Sequence, residues 1–199
     1  MYKNYYWFFK KAIDPKICDK IIDIGLSKEK LNAKTGSQNK ILNKKIRNSR
    51  IVWLEEKEIY DLINPFLNTA NRNAGWNFEY DWSESCQFTI YEKSNHYNWH
   101  CDNFSEPYPM DHKFENFRGK TRKLSMSICL SNGDDFSGGD FQFDYRNRED
   151  GKPNINTVKE IREKGSILVF PSNIYHRITP VKKGRRYSLV VWFLGYPFK

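Results

Sequence analysis

Along the chain the apolar positions change period once, near residue 76. Before that point they recur at helical spacing. In "DPKICDKIIDIGLS" (14–27) Ile17, Ile21 and Ile24 form one stripe, Asp14 stands where an N-cap oxygen is needed, and Pro15 suits the first helical position. A second helix is expected over "EEKEIYDLINPFLNTANRNAG" (55–75), with a kink or break around Pro65, whose ring and missing donor disturb the turn before it. Residues 28–49 read as polar loop, and "RIVWL" (50–54) as a short apolar run.

From Trp76 onward a period of two takes over. "CQFTIY" sets Cys86, Phe88 and Ile90 against Gln87, Thr89 and Tyr91. "KLSMSICLS" sets Leu124, Met126, Ile128 and Leu130 against Ser125, Ser127, Cys129 and Ser131. "SILVFP" and "RYSLVVWFLG" are further strands, separated by the turn-rich "NGDDFSGGD" and the polar stretch 144–164. Helices followed by short strands with long loops predict an α+β, mainly β, chain whose strands form a sandwich or barrel. No repeat or linker divides it. A single domain over 1–199 is expected, with a helical N-terminal part over about 1–75 and a strand core over about 76–199.

Composition narrows this picture. With 39% hydrophobic and 16% aromatic residues the chain is a folded one. The net charge of +9 comes from 33 Lys and Arg scattered along the chain, which describes a solvated basic surface and disfavours nucleic acid as the partner. No stretch approaches the roughly 20 apolar residues of a membrane span. The start "MYKNYYWFFKKAIDP" lacks the apolar core and cleavage site of a signal peptide, so a cytoplasmic location away from membranes is expected. Cys18, Cys86, Cys101 and Cys129 have no zinc spacing and favour reduced thiols, with Cys101 and Cys129 read as small packing residues.

The candidate chemistry starts at "NHYNWHCDNF" (95–104). On an extended chain His100 and Asp102 point to one side, Trp99 and Cys101 to the other. Such a pair is a surface hydrogen bond, half of a catalytic dyad, or two ligands of one metal ion. His176 follows a strong strand far down the chain, and Arg186 comes ten residues later. Two imidazoles and one carboxylate on rigid strands make a facial triad that leaves three positions open on an octahedral ion, the pattern of non-haem Fe(II) oxygenases. His96 and His112 fall outside that set. Arg185 and Arg186 are adjacent and point to opposite faces, so only one enters the interior, and Gly184 with Ser188 favours Arg186.

The segments "QFTIYEKSNHYNWHCD", "RKLSMSICLS", "FSGGDFQF", "GSILVFPSNIYHRITPV" and "GRRYSLVVWF", spanning roughly 86–193, carry a resemblance. The chain resembles the Fe(II)- and 2-oxoglutarate-dependent dioxygenases, in the prolyl-4-hydroxylase-like branch that includes PKHD-type hydroxylases. That resemblance implies a double-stranded β-helix (jelly roll) core with N-terminal helices packed outside. It implies Fe(II) held by the catalytic residues His100, Asp102 and His176, and 2-oxoglutarate bound through its distal carboxylate at Arg186, with Ser188 and Tyr91 adding hydrogen bonds. Dioxygen is the third reactant, and 2-oxoglutarate is decarboxylated to succinate while an unactivated C–H is hydroxylated. The implied substrate is a protein or peptide side chain, such as proline, or a small molecule.

Two other readings stand beside it. A demethylase of alkylated nucleic acid in the same superfamily has a second arginine six residues after the first, where this chain has Trp192. A non-catalytic metal-binding jelly-roll module would be signalled by a lost ligand, and none is lost. Substrate choice is assigned to loops 28–49, 103–121 and 144–164, of which 103–121 is a lid or a cover over the barrel mouth. No motif speaks to oligomeric state.

Overall fold

A computed structural model of the chain describes residues 2–35 and 42–198. In chain order it runs β1 (Trp7–Phe9), α1 (Pro15–Ser27), β2 (Leu31–Asn32), β3 (Arg47–Asn48), β4 (Arg50–Leu54), α2 (Lys57–Asn73), β5 (Trp82–Ser83), β6 (Cys86–Tyr91) and β7 (His96–His100). It continues through β8 (Thr121–Cys129), β9 (Phe136–Gly138), β10 (Phe141–Asp144), β11 (Ile155–Thr157), β12 (Ile167–Pro171), β13 (His176–Ile178), β14 (Val181–Gly184) and β15 (Arg186–Gly195). The protein is mainly β. No helix among the described residues is long and apolar enough to cross a membrane.

The strands pair antiparallel. A large sheet has the order β1-β12-β8-β15-β6-β4-β2, with β5 added to β15, and a smaller one the order β11-β10-β13-β7-β3. Strands β9 and β14 form a separate pair. Registers such as Ser188↔Thr89 on one side of β15 and Ser188↔Cys129 on the other align the alternating residues of β6, β8 and β15 into two continuous faces.

One face is apolar and carries the helices. Phe88, Met126, Ile128, Val169, Leu189 and Val191 share a core with Ile21 of α1 and Ile59, Ile63 and Leu67 of α2. Asp14 caps α1 through a carboxylate oxygen that accepts the Lys16 N–H at 2.8 Å, and Pro15 opens the helix. Of the kink or break expected around Pro65, the break does not occur: α2 runs through it. Pro65 is exposed while Ile59, Ile63, Leu67 and Ala70 are buried, so the stripe anchors both halves of the helix and the ring projects into solvent.

The other face carries Gln87, Thr89, Ser125, Ser127 and Ser188, all buried. In a sheet covered on one side such residues meet water. Here the smaller sheet covers them. Phe141, Phe143 and Ile178 from that sheet pack on Tyr91, Leu168 and Phe170 of the large one, and beside this cluster Gln87, Ser127 and Ser188 line a cavity.

The first 75 residues supply strands as well as helices. Strand β1 extends the large sheet on β12, β2 and β4 extend it on β6, and β3 closes the edge of the smaller sheet on β7. The stretch 28–49 is therefore not only loop. Strands β2 and β3 are two residues each, too short to leave a periodic signal, and residues 36–41 lie outside the described ones.

Helix α1 lies close enough to β6 that a Cβ on Gly25 would come within 2.4 Å of the Phe88 ring. On an open helix Gly→Ala stabilises by roughly 0.5–1 kcal/mol. Here Gly25→Ala is expected to destabilise by about 1–3 kcal/mol through overpacking, read as a lower urea midpoint at unchanged slope.

Candidate active site

The smaller sheet brings the two histidines together. His176 on β13 pairs directly with His100 at the end of β7, with ring centroids 4.2 Å apart. Asp102 lies two residues past the strand, where the chain turns and the Asp102 N–H donates to the Ser172 carbonyl at 2.8 Å. One ligand atom from each of His100, Asp102 and His176 lies within 4.8 Å of the others. Asp102 and His176 are buried. On the far side of the chain Trp99 stacks on Tyr175 at 5.5 Å. Cys101 is exposed rather than packed, because the chain leaves the sheet after His100; Cys129 is buried as expected.

Each imidazole is oriented through its own strand. His100 Nδ1 lies 2.7 Å from the Asn98 carbonyl oxygen and His176 Nδ1 lies 2.8 Å from that of Ile174. A carbonyl only accepts, so both Nδ1 atoms carry the proton and both Nε2 atoms present lone pairs. Those Nε2 atoms face the Asp102 carboxylate, at 3.5 Å from His100 and 3.6 Å from His176. Burial, with His100 beside it, lowers His176 to about 4, although Asp102 pulls the other way. Burial also pushes the Asp102 carboxyl up, but the charge of the two histidines in their protonated forms, together with the Arg122 guanidinium, outweighs it and holds the carboxyl below its usual range. At neutral pH a carboxylate thus meets a neutral His176, with no proton between acceptors. A cation at their centre satisfies all three, and the set suits a metal that takes imidazole and carboxylate.

Arg186 enters from the large sheet at the Tyr91 end of β6, with which it is in register. It is 3% exposed, donates to Ser188 Oγ at 3.2 Å and lies over the Tyr91 ring at 5.5 Å. None of the ion pairs among the described residues includes it. Arg185 points the other way, onto Glu92 at 2.8 Å. Gly139, at φ +62°, keeps the room Arg186 needs, since a Cβ there would come within 3.1 Å of its Cδ. Two further donors in the same cavity, Gln87 Nε2 and Trp192 Nε1, are buried without a hydrogen-bond partner among the described residues. An interior lined by Arg186, Ser188, Tyr91 and orphaned N–H groups fits an acidic small molecule next to the metal position. His96 stays out of the set, held by the Ser94 and Lys45 carbonyls.

The sequence did not disclose the support around Asp102. Arg122 forms a buried two-pronged pair with Glu84, 2.6 Å on each prong, and its Nη1 donates to the Asp102 carbonyl at 3.2 Å. Its guanidinium lies over Trp192 at 3.9 Å. Tyr108, from loop 103–121, donates to the same Glu84 carboxylate at 3.0 Å. That loop is thereby tied to the base of the site, and an outer cleft of about 460 Å³ opens between it, β3 and Trp192. Arg47 is the other residue missed. It lies in the stretch read as loop, yet it is buried and reaches both the interior and the cleft.

Fold and site together define a mainly β protein with a buried two-histidine, one-carboxylate centre beside a basic pocket. The family model of the 2OG-Fe(II) oxygenase superfamily matches residues 86–194, and the chain belongs to that superfamily, which takes Fe(II), 2-oxoglutarate and dioxygen. Its curated relatives are PKHD-type hydroxylases. One from Synechococcus sp. (strain CC9605) is 31% identical over 101 residues, and one from Pseudoalteromonas atlantica 27% over 107. These alignments cover 50% and 53% of this chain but only 37% and 41% of the relatives, so the match spans about two fifths of their length. Among solved structures, the viral collagen prolyl hydroxylase of Paramecium Bursaria Chlorella virus-1 shares the fold at a TM-score of 0.69 and 18% identity, over 97% of each chain. A Pseudomonas putida prolyl-4-hydroxylase does so at 0.67 and 19%, over 96% of this chain and 92% of that one.

The ion pairs and titrations lead to two expectations. Removing one partner of a buried pair strands the other charge, so Glu84→Ala is expected to cost about 3–5 kcal/mol by urea titration. Removing Lys57 from its exposed pair with Asp61 should leave the midpoint unchanged. In metal-free protein His176 titrates below its unfolded value of about 6.5, so between that pH and about 4 the unfolded chain binds the proton first and stability falls with pH. The loss should be on the order of 3 kcal/mol and should shrink in His176→Phe.

Proposed function

We propose that the protein is an Fe(II)- and 2-oxoglutarate-dependent hydroxylase built on a double-stranded β-helix, one domain over the whole chain, acting on an unactivated C–H of a peptide side chain or a small molecule. The single observation that carries this is the convergence of three oriented lone-pair donors, His100 Nε2, Asp102 and His176 Nε2, beside the buried, carboxylate-free Arg186. Those three residues hold the iron. Arg186 takes the distal carboxylate of 2-oxoglutarate as a planar fork, with Ser188 and Tyr91 as neighbouring donors. When bound, the two groups supply the oxidising chemistry, in which dioxygen is consumed, 2-oxoglutarate leaves as succinate and CO2, and one oxygen atom enters a C–H bond of the substrate.

The chain's own residues do the rest. The Asn98 and Ile174 carbonyls keep both imidazoles in the ligating tautomer. Burial keeps Tyr91 a neutral phenol that donates rather than repels a carboxylate. Phe141, stacked on His176 at 5.3 Å, and Phe170, edge-on at 4.8 Å, exclude water from the inner side of the centre. The open side faces the outer cleft, which has the volume of a small-ligand or side-chain site. Support for a peptide substrate comes from a solved neighbour, a Trichoplax adhaerens prolyl hydroxylase in complex with a hypoxia inducible factor peptide fragment, with a TM-score of 0.69 at 17% identity. The free thiols of all four cysteines fit a reducing, cytoplasmic setting.

The test is to load anaerobic protein with Fe(II) and 2-oxoglutarate, follow the visible charge-transfer band, then admit air and measure succinate. His100→Ala and Asp102→Ala should abolish both signals. Arg186→Gln should raise the 2-oxoglutarate Kd about tenfold or more while affecting metal affinity less, since a charged hydrogen-bond partner is worth about 1.5–3 kcal/mol. Undiminished turnover in His176→Ala would remove the ligand assignment.

A further inference from the structure

A second guanidinium enters the interior from the other sheet. Arg47 opens β3, in register with Tyr97 of β7, and is 3% exposed. Its Nη2 donates to the Gln87 amide oxygen and its Nε to Ser49 Oγ at 3.2 Å, while its charge lies 4.5 Å from the Tyr97 ring centroid. Every one of these partners is neutral. No ion pair among the described residues includes Arg47, and segment 36–41, Gly-Ser-Gln-Asn-Lys-Ile, contains no acid. An arginine stays protonated when buried, so among the described residues this charge is left without an ion-pair partner.

Position and charge say which anion. Arg47 borders both the inner cavity and the outer cleft, as do His100, Asp102 and Trp192. The Tyr97 ring that carries Arg47 also stacks on His100 at 3.4 Å, which sets the guanidinium beside the centre. Gln87, whose oxygen is taken by Arg47, leaves its Nε2 donors unpartnered, and Trp192 Nε1 is unpartnered too. Arg122 is neutralised by Glu84, and the acidic and basic side chains that line the inner cavity are Arg47, Arg186 and Asp102. A divalent iron and the dianion of 2-oxoglutarate cancel each other. Asp102 then balances one arginine, and one positive charge remains.

We propose that Arg47, with the Gln87 and Trp192 N–H groups, is an anion subsite that takes a carboxylate of the substrate, so that the enzyme selects acidic substrates. The inference rests on the hydroxylase reading above. A carboxylate gripped at Arg47 fixes one end of the substrate next to the metal position, and the remainder extends into the cleft. Its source is a free acid or an acidic group on a peptide; both present the same two oxygens to the fork.

The whole chain, loaded with Fe(II) and 2-oxoglutarate, is first assayed for succinate without substrate, which reads the oxygenase assignment alone. The free amino acids, and N-acetylated tripeptide amides with Asp or Glu beside Pro, Lys or Leu, are then compared with their carboxamide counterparts. At least one acid should raise succinate formation about tenfold over its amide, the worth of a charge-assisted hydrogen bond. A response to amino acids identifies a free acid as the source, and a response to tripeptides an acidic side chain. In calorimetry with Mn(II) replacing iron, Arg47→Gln should weaken the most active acid about tenfold, Arg47→Lys less, and both should weaken 2-oxoglutarate less than Arg186→Gln does. Equal responses to acids and amides, or no response to either while substrate-free succinate persists, would overturn the subsite. So would a loss of 2-oxoglutarate binding in Arg47→Gln as large as in Arg186→Gln, which would assign Arg47 to the cosubstrate. If substrate-free succinate is absent, the hydroxylase reading fails, and binding of acids over amides to the Mn(II) protein still decides the subsite.

Discussion

Two hydrogen bonds to main-chain carbonyls govern the centre of this molecule. By accepting from the Nδ1 of His100 and of His176, the Asn98 and Ile174 carbonyls aim both Nε2 lone pairs at Asp102. The result is repulsive when empty of charge and attractive around a cation. The aromatic wall of Phe141 and Phe170 adds to the tension, because it removes the water that would otherwise solvate the acceptors. The depressed titration of His176 belongs to the same balance, since burial keeps it a neutral ligand.

The large sheet makes room for what the cation brings with it. Its outer face is a hydrophobic core under two helices, and that core supplies the burial that holds the fold. Its inner face is lined with serines, a threonine, a glutamine and an arginine, small or polar side chains that leave space and donors instead of filling the gap. A sandwich packed with apolar residues on both inner faces would be a simpler core. Exchanging half of that packing for polar groups makes sense only where a polar ligand completes it. Buried donors without partners, on Gln87 and Trp192, mark where the protein leaves bonds for something else to make.

This division was legible in part. The alternation of Leu124, Met126 and Ile128 with Ser125, Ser127 and Cys129 announced the strand and its two faces, but a period of two does not tell a water-facing serine from one facing a cavity. The triad and Arg186 were readable because they sit in or directly after strong strands, in an order that few other chemistries share. Arg47 and the Glu84–Arg122 pair were not, for a physical reason. Each depends on contacts across long sequence separations; Arg47 lies in a two-residue strand and Glu84 just before β6, where periodicity is weak, and although Arg122 sits in the strongly periodic β8, no period names its distant partner. Pro65 shows the converse. A strong local signal for a break was overridden because the helix is held by its buried stripe and the proline faces solvent.

The buried arginines then sort themselves by partner. Arg122 meets a carboxylate on both prongs, and its remaining donor is fixed on the Asp102 main chain; it is a strut whose charge is spent inside the fold. Arg186 and Arg47 are as deeply buried, yet each is answered only by hydroxyl, amide or ring. Isolating a guanidinium in this way costs several kcal/mol, and two such sites in one small cavity would be hard to retain in a fold that asked for stability alone. That neither forms an ion pair among the described residues therefore says more than the arginines do. A carboxylate contributed by the chain would neutralise the site and close it, whereas a site left positive on two sides of a metal position is one that anions from solution can enter. The two guanidiniums approach from different sheets, so two separate anionic groups can be held at once, on either side of the centre where they react.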